Sequence, residues 1–314
     1  MQSEGRFVEV SDGAAKGNAP RWGVLRRLEF IDFRLFWTGR LNRSDLSELF
    51  GISAPQASSD IALYQKMAPD NLGYDRGQKV YLRLPGFKPA MIDEVVDRFL
   101  LQIIAVRRGW LKKTDTWFDE LPPLEVVALQ TLPTDAAVLQ GVLDAIREKA
   151  EVEVHYSSMT GSAATRRRIA PHAMASGWGR WYVRAWSAEH NDFRDYALAR
   201  ISSIGDPRPR SVNPVSDLEW QHRIELELVP NPELDPDRRK AQEIEHKMVD
   251  GVLKVPCRLS LAFYLMAEHK LDVEAGKLTP FQQPLVLRNL LEVRQRREVA
   301  REMAKQALAA AAGA

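Results

Sequence analysis

The residues best placed to do chemistry lie between Trp178 and Ile201, in the stretch WGRWYVRAWSAEHNDFRDYALARI. It reads as two β-strands around a short polar connection, AEHND. Alternate side chains of a strand point to opposite faces. Trp181, Val183 and Ala185 then share one face, and Arg180, Tyr182, Arg184 and Trp186 the other. On the second strand Arg194, Tyr196 and Arg200 share a face that also carries Leu198. A guanidinium offers a planar fork of donors to phosphate or carboxylate and also stacks on rings. A surface alternating arginine with aromatics therefore suits an anionic ligand, nucleic acid included. His172 and Tyr156 fall on neighbouring predicted strands and complete the expected pocket. Of Arg166, Arg167 and Arg168 only part can join it, because adjacent strand residues face apart. The plain alternative is a solvated face whose arginines pair with Glu153, Asp192 or Asp195.

The elements that must carry this surface follow from periodicity. Val152, Val154 and Tyr156 alternate with Glu151, Glu153 and His155, which predicts a strand. It follows a helix over residues 134–150, with Val138, Val142 and Ile146 in register. Upstream, Val24, Leu28, Ile31 and Leu35 keep helical spacing. Asn42 can cap a short second helix carrying Leu46, Leu49 and Phe50, and Gly51 supplies a tight turn. A third helix begins near Ser53–Pro55 and buries Ala57, Ile61 and Tyr64. Two strands, Leu72–Tyr74 and Lys79–Leu84, then flank the polar turn Asp75-Arg76-Gly77-Gln78.

Two helices joined by a short turn and followed by a hairpin make a winged helix-turn-helix, whose second helix enters a DNA major groove. The exposed face of that helix starts with Gln56, Ser58 and Ser59, short polar side chains able to reach base edges. Arg43 and Ser44 on the preceding helix, and Arg76 and Lys79 at the wing, are placed to meet phosphate. The alternative is a small helical domain without a nucleic-acid partner.

Proline-rich punctuation divides the chain. The expected parts are a floppy tail over 1–19, a winged helix-turn-helix over 20–89, a helical connector over 90–133, a ligand-sensing domain over 134–210 and a C-terminal extension over 211–314. That extension mixes strands (Arg223–Val229, Val252–Leu259) with helices (Asp237–Met248, Leu261–Glu268, Leu285–Ala312). Net charge is only +2, but it is +3 over residues 1–89, −5 over 90–159, +5 over 160–210 and −1 over 211–314. Local positive charge governs anion binding more than the total does. The apolar run Phe99–Val106 is far too short to span a bilayer. One cysteine, Cys257, forms no intrachain disulfide, which fits a cytoplasmic protein. No HExxH, P-loop or GxSxG motif occurs, and six scattered histidines give no metal-ligand spacing. Neither an enzyme nor a metal or cofactor site is expected.

The segments RRRIAPHAMASGWGRWYVRAW and FRDYALARI resemble the WYL-domain transcriptional regulators, with Trp181-Tyr182-Val183 standing for the eponymous triplet. The first block, with FGISAPQASSDIALY in the recognition region, is similar to that family's winged helix-turn-helix. The resemblance covers nearly the whole chain and is weakest beyond about residue 218. It implies an α+β protein: a DNA-binding head, a central SH3- or Sm-like WYL β-barrel that binds a regulatory ligand, and a C-terminal α/β extension that assists dimerisation. It implies a homodimer on an inverted-repeat operator, most like repressors that sit beside bacterial anti-phage systems of the BREX and CBASS kinds. Carried over, the ligand surface falls on Tyr156, Ser157, Ser158, His172, Tyr182, Arg184, Arg194 and Arg200. Ser157 and Ser158 cannot both face a pocket from a regular strand. Two other readings are a single-stranded nucleic-acid platform and a scaffold dimer that binds no DNA.

Overall fold

The computed structural model describes residues 22–312 apart from 119, 128–133, 160–163, 178 and 275. The expected tail over 1–19, and Trp178 and Pro133, lie outside the described residues. The chain separates into two compact units, Met1–Leu129 and Gln130–Ala314. No helix among the described residues is long and apolar enough to cross a membrane.

The first unit begins with α1 (Trp22–Thr38), which buries Leu28, Ile31 and Leu35 completely, as their spacing requires. A two-residue strand β1 (Arg40–Leu41) leads into α2 (Arg43–Phe50). The Asp45 carboxylate accepts the Asn42 backbone N–H at 2.8 Å, one half of a capping box. Gly51, at φ +62°, takes the left-handed conformation that ends α2 and starts the turn. Ser53 caps α3 (Ala54–Met67), which has Pro55 in its first turn. Ala57, Ile61 and Tyr64 are its buried stripe against α1.

The wing consists of β2 (Leu72–Asp75) and β3 (Val80–Arg83). The unforeseen β1 joins them on the β3 side in a three-stranded antiparallel sheet. The Asp75 carboxylate closes the turn by accepting from the backbone of Gly77 and Gln78 at 2.8 and 2.9 Å. Inside the unit, Asp32 is fully buried yet satisfied. One carboxylate oxygen takes the Tyr64 hydroxyl, and the other accepts backbone N–H groups of Ala90, Met91 and Ile92 at 2.9, 2.7 and 3.0 Å. The chain leaving the wing is thereby tied to α1. Within the connector expected to be helical over 90–133, α4 spans only Val96–Arg107, and Gly109 at φ +71° ends it.

The second unit opens with α5 (Ala136–Arg147), capped by the Asp135 carboxylate. It covers a sheet built from β4 (Ala150–Tyr156), β5 (Thr165–Gly177), β6 (Arg180–Ser187), β7 (Asp192–Ala197) and β8 (Ile201–Ile204), in the order β7-β6-β5-β4-β8. A short β9 (Arg208–Pro209) also pairs with β4. All neighbours are antiparallel. One face of this sheet meets α5 through Val152, Val154, Ile169, Val183, Ala185 and Tyr196. Gly141 permits that approach, since a Cβ there would stand 2.7 Å from Ile204. Strand pairing runs as an open path: β7 and β8 are joined by the 3₁₀ turn Leu198–Arg200, and no β7–β8 pairing closes a barrel among the described residues.

The remainder packs on the other face of the same sheet. It comprises α6 (Leu218–Gln221), β10 (Arg223–Pro230), α7 (Pro236–Glu245), β11 (Leu253–Arg258), α8 (Ala262–Glu268), β12 (Leu285–Leu287) and α9 (Leu290–Ala312). β10 lies between β11 and β12. Its residues Ile224, Leu226 and Leu228 form a core with Met266, Leu271 and Val293.

Candidate nucleic-acid interface and ligand surface

On the head, Arg43, Ser44, Gln56, Ser59, Arg76 and Lys79 are exposed and Ser58 is half-buried. Their chemistry is partly committed. The Ser58 and Ser59 hydroxyls donate to the carbonyls of Ala54 and Pro55, each at 3.0 Å, as serines inside helices do. What they still offer outward is acceptor capacity. Arg43 reaches Ser58 Oγ at 3.4 Å, linking α2 to α3. Gln56 stands in the first turn of α3, where its own backbone N–H donates to the Ser53 cap. Its side-chain Nε2 donates to Asp60 Oδ1 at 3.0 Å, and Asp60 Oδ2 is gripped by Arg27 Nε at 2.6 Å. Sequence reasoning missed Asp60 and Arg27. The Gln56/Asp60 spacing of one helical turn was the available signal. Arg76 and Lys79 flank the wing turn without a hydrogen bond or ion pair among the described residues, and Lys79 holds φ +58°.

The sheet surface differs from the expectation. Arg184 and Tyr182 do share a face, but it is covered. Arg184 is 3% exposed, and its guanidinium grips Asp217 with both prongs, at 2.7 and 2.8 Å. Asp195 and Glu219 each lie 3.4 Å from it. His172, at the bulge in β5, hydrogen-bonds the same Asp217 at 2.9 Å. Tyr182 is buried against Tyr264, ring centroids 4.4 Å apart. Glu219 also accepts from Arg297 and Arg301 of α9, at 3.3 and 3.0 Å. Tyr264 donates to Asp195 at 3.0 Å. His172, Tyr182 and Arg184 are therefore interior residues joining the sheet to α6, α8 and α9. In this arrangement they do not form an open ligand surface.

The electrostatics fit that role. Burial pushes the Asp217 carboxyl up, but the hydrogen bonds and charges of Arg184 and His172 outweigh it and hold the group below the ordinary carboxylate range. Asp195 is raised by burial, against the pull of Arg184 and Tyr264. Burial alone would lower the Arg184 guanidinium, but its carboxylate partners raise it.

Arg194 is not beside Arg184. It pairs across the ladder with Ala185, whereas Arg184 pairs with Asp195. Arg194 therefore shares the opposite face with Tyr196, Val183 and Ala185, and the expected single arginine face is corrected to two. It is exposed and has no hydrogen bond or ion pair among the described residues. Nearby are Arg167, ion-paired with Glu189, and His190, whose Nδ1 shares a 2.9 Å hydrogen bond with Ser187. Burial lowers the His190 pKa, and the charges of Arg194 and Arg167 add to that. Tyr196 is buried, and among the described residues no partner stands within ordinary hydrogen-bond geometry of its hydroxyl, Ser187 being its polar neighbour. Burial raises this phenol, while Ser187 and the two arginines pull the other way.

Arg200 falls in the 3₁₀ turn, where strand alternation has ended, so its alignment with Arg194 and Tyr196 does not hold. It is half-exposed, and its carbonyl accepts the Ser157 N–H at 3.0 Å. Ser157 and Ser158 both lie beyond the end of β4. The Tyr156 hydroxyl accepts from Ala197 N at 3.3 Å, and its ring meets Tyr196 edge to face with centroids 5.0 Å apart. Of the eight expected ligand residues, Tyr156, Ser157, Ser158, Arg194 and Arg200 stay outside the buried charge network. Among the described residues no His, Cys, Asp and Glu cluster could hold a metal.

Comparison with known proteins places each part. Residues 23–105 match the family model for the BrxR transcriptional regulator winged helix-turn-helix domain, 137–205 that for the WYL domain, and 223–293 that for the BrxR C-terminal dimerization domain. The chain is 36% identical to a DNA-binding transcriptional repressor CapW of Stenotrophomonas maltophilia, over 91% of this chain and 95% of that protein. It is 35% identical to a repressor of the same name from Pseudomonas aeruginosa, over 94% and 98%. A solved structure of proteasome accessory factor B/C of Arthrobacter aurescens aligns at 15% identity with a TM-score of 0.24, over 92% of this chain and 50% of that one. The chain belongs to the family of WYL-domain transcriptional regulators built from a BrxR-type winged helix, a WYL domain and a BrxR-type C-terminal domain.

Proposed function

We propose that this chain is a dimeric, DNA-binding transcriptional repressor that an anionic ligand on its WYL domain releases from its operator. The observation that carries the DNA part is the outer face of α3. Gln56 and Ser59 stand exposed at its start, with Arg43 beside them and Arg76 and Lys79 on the wing of the same unit. Base-reading side chains at the helix start, with cations flanking them for phosphate, are what groove docking needs. The two relatives' names and the C-terminal family description support repression and a homodimer. The resemblance to regulators of anti-phage systems extends the reading to a phage-defence operon.

For the ligand, the open candidates are Arg194 and Arg200 together with Tyr156, Ser157 and Ser158. Arg194 is exposed and uncommitted, and Arg167 and Tyr196 stand near it. The single-stranded platform loses support, because Trp186, Tyr182 and Phe193 are buried under the C-terminal part of the unit. To act as a switch the ligand must favour the released state by about 1–3 kcal/mol.

The test is a gel-shift titration of the full chain on duplex from its own promoter and on the matching single strand, repeated with Arg194→Ala and Arg200→Ala. Preferential duplex binding that both variants retain, with loss of derepression in cells, supports the reading. Absence of duplex binding even at low salt, where phosphate attraction is strongest, refutes the DNA part. Intact derepression in both variants refutes the ligand part.

A further inference from the structure

We propose that Gln56 reads an adenine in each half-site, with its amide held in the reading orientation by Asp60 and Arg27. The inference rests on the reading of α3 as the groove-entering helix and adds which base it selects.

The argument is one of hydrogen inventory. Asp60 is 2% exposed, and as a carboxylate paired with Arg27 it can only accept. The Gln56 group facing it at 3.0 Å must therefore be the NH₂, which fixes the amide against the flip that an unpartnered glutamine allows. Arg27 holds Asp60 from the other side, through Nε at 2.6 Å and Nη2 at 3.4 Å, so the carboxylate cannot rotate away. One N–H of Gln56 is spent inward. The other N–H and the carbonyl oxygen remain, one donor and one acceptor on an exposed side chain. In the major groove adenine offers the complementary pair, the N7 acceptor and the N6 amino donor. Guanine shows two acceptors there, which a fixed amide oxygen opposes. The serines leave this inventory intact, because Ser58 and Ser59 donate their hydrogens back into the helix.

The experiment is a binding selection by the full-length protein from duplexes randomised over the operator, run for the native chain, Gln56→Ala and Asp60→Asn. Native protein should enrich a motif with a fixed adenine in each half. Replacing that adenine should weaken binding by about 5- to 150-fold, the range of one bidentate base contact. Gln56→Ala should flatten preference at that position alone. Asp60→Asn lets the amide turn over, since asparagine can donate to Oε1, and should relax adenine to adenine or guanine. A melting curve checks that the Asp60 variant is folded. Gln56→Ala removes one donor from Asp60 but leaves both its oxygens paired with Arg27, and it decides the matter by itself. An unchanged motif in Gln56→Ala, or uniform weakening at every position, overturns the inference and leaves the DNA reading standing. No enriched motif for the native protein overturns that reading itself.

Discussion

Arg184 and Arg194 are alike in sequence and opposite in consequence. Arg184 neutralises Asp217 and faces Asp195 and Glu219 at 3% exposure, so removing it takes the guanidinium partner from buried Asp217 and from Asp195, while Glu219 keeps Arg297 and Arg301. Breaking a buried pair from one side costs about 3–5 kcal/mol. Arg184→Ala should therefore lower the unfolding free energy of the second unit by that amount, read as a lower denaturant midpoint, and impair every activity that depends on it. Arg194 is exposed and uncommitted. Arg194→Ala should move stability by no more than about 0.5 kcal/mol, the usual range for such sites. Urea unfolding followed by circular dichroism separates the two. Equal losses would mean that Arg194 is also structural. A ligand-blind phenotype in Arg184 variants is thus no evidence of ligand contact unless their folding is shown to be intact.

At the level of elements, Asp217 caps α6 and locks β5 and β6 to the segment before β10. Its pKa lies below the ordinary 3.8, so its contribution to stability is present above pH 3.8 and is lost as pH falls through the lower folded value. Asp195 is shifted the other way, so its part is present below 3.8 and fades as pH rises through its raised value. Asp217→Asn should destabilise the protein at neutral pH by about 3–5 kcal/mol. It should also flatten the acid limb of its melting temperature against pH. An acid limb identical to that of the native chain would show that other carboxylates govern it. Much of this architecture is legible in the sequence. Leu28, Ile31 and Leu35, or Ala57, Ile61 and Tyr64, announce buried stripes because helical period is a local property. So is the alternation of Val152 and Val154. The face of Arg194 is not local. It depends on cross-strand register with Ala185 and on the 3₁₀ turn at Leu198 that ends the strand before Arg200. Nor could spacing reveal that Arg184 would find its carboxylate 33 residues on, at the start of α6. On the head, the outward residues of α3 were legible, while the Asp60 tether on Gln56 needed the third partner, Arg27.

For the whole molecule, the proposed repressor presents two identical heads, and affinity comes from both gripping at once. In the proposed complex the exposed Arg43, Arg76 and Lys79 are the phosphate contacts, and each one lost should reduce the slope of log affinity against log salt by about 1 without altering base preference. A two-fold dimer demands half-sites on one face of the duplex, their centres separated by whole turns of about 10–10.5 base pairs. Inserting about five base pairs, half a turn by that measure, at the operator centre carries the second half-site to the far side of the helix. Simultaneous engagement then fails, and with it the affinity that linkage adds, commonly about 10²–10⁴-fold. Insertion of a full turn, about ten base pairs, restores the facing and should recover part of the loss, limited by how far the heads can spread. Gel shifts on the three operators test this, with the stoichiometry of each complex read by light scattering. If the half-turn insertion binds as tightly as the native spacing, with one dimer per duplex, the heads do not act as a rigidly spaced pair. Each would then read its site through flexible attachment, and the ligand could not release DNA by changing the distance between them.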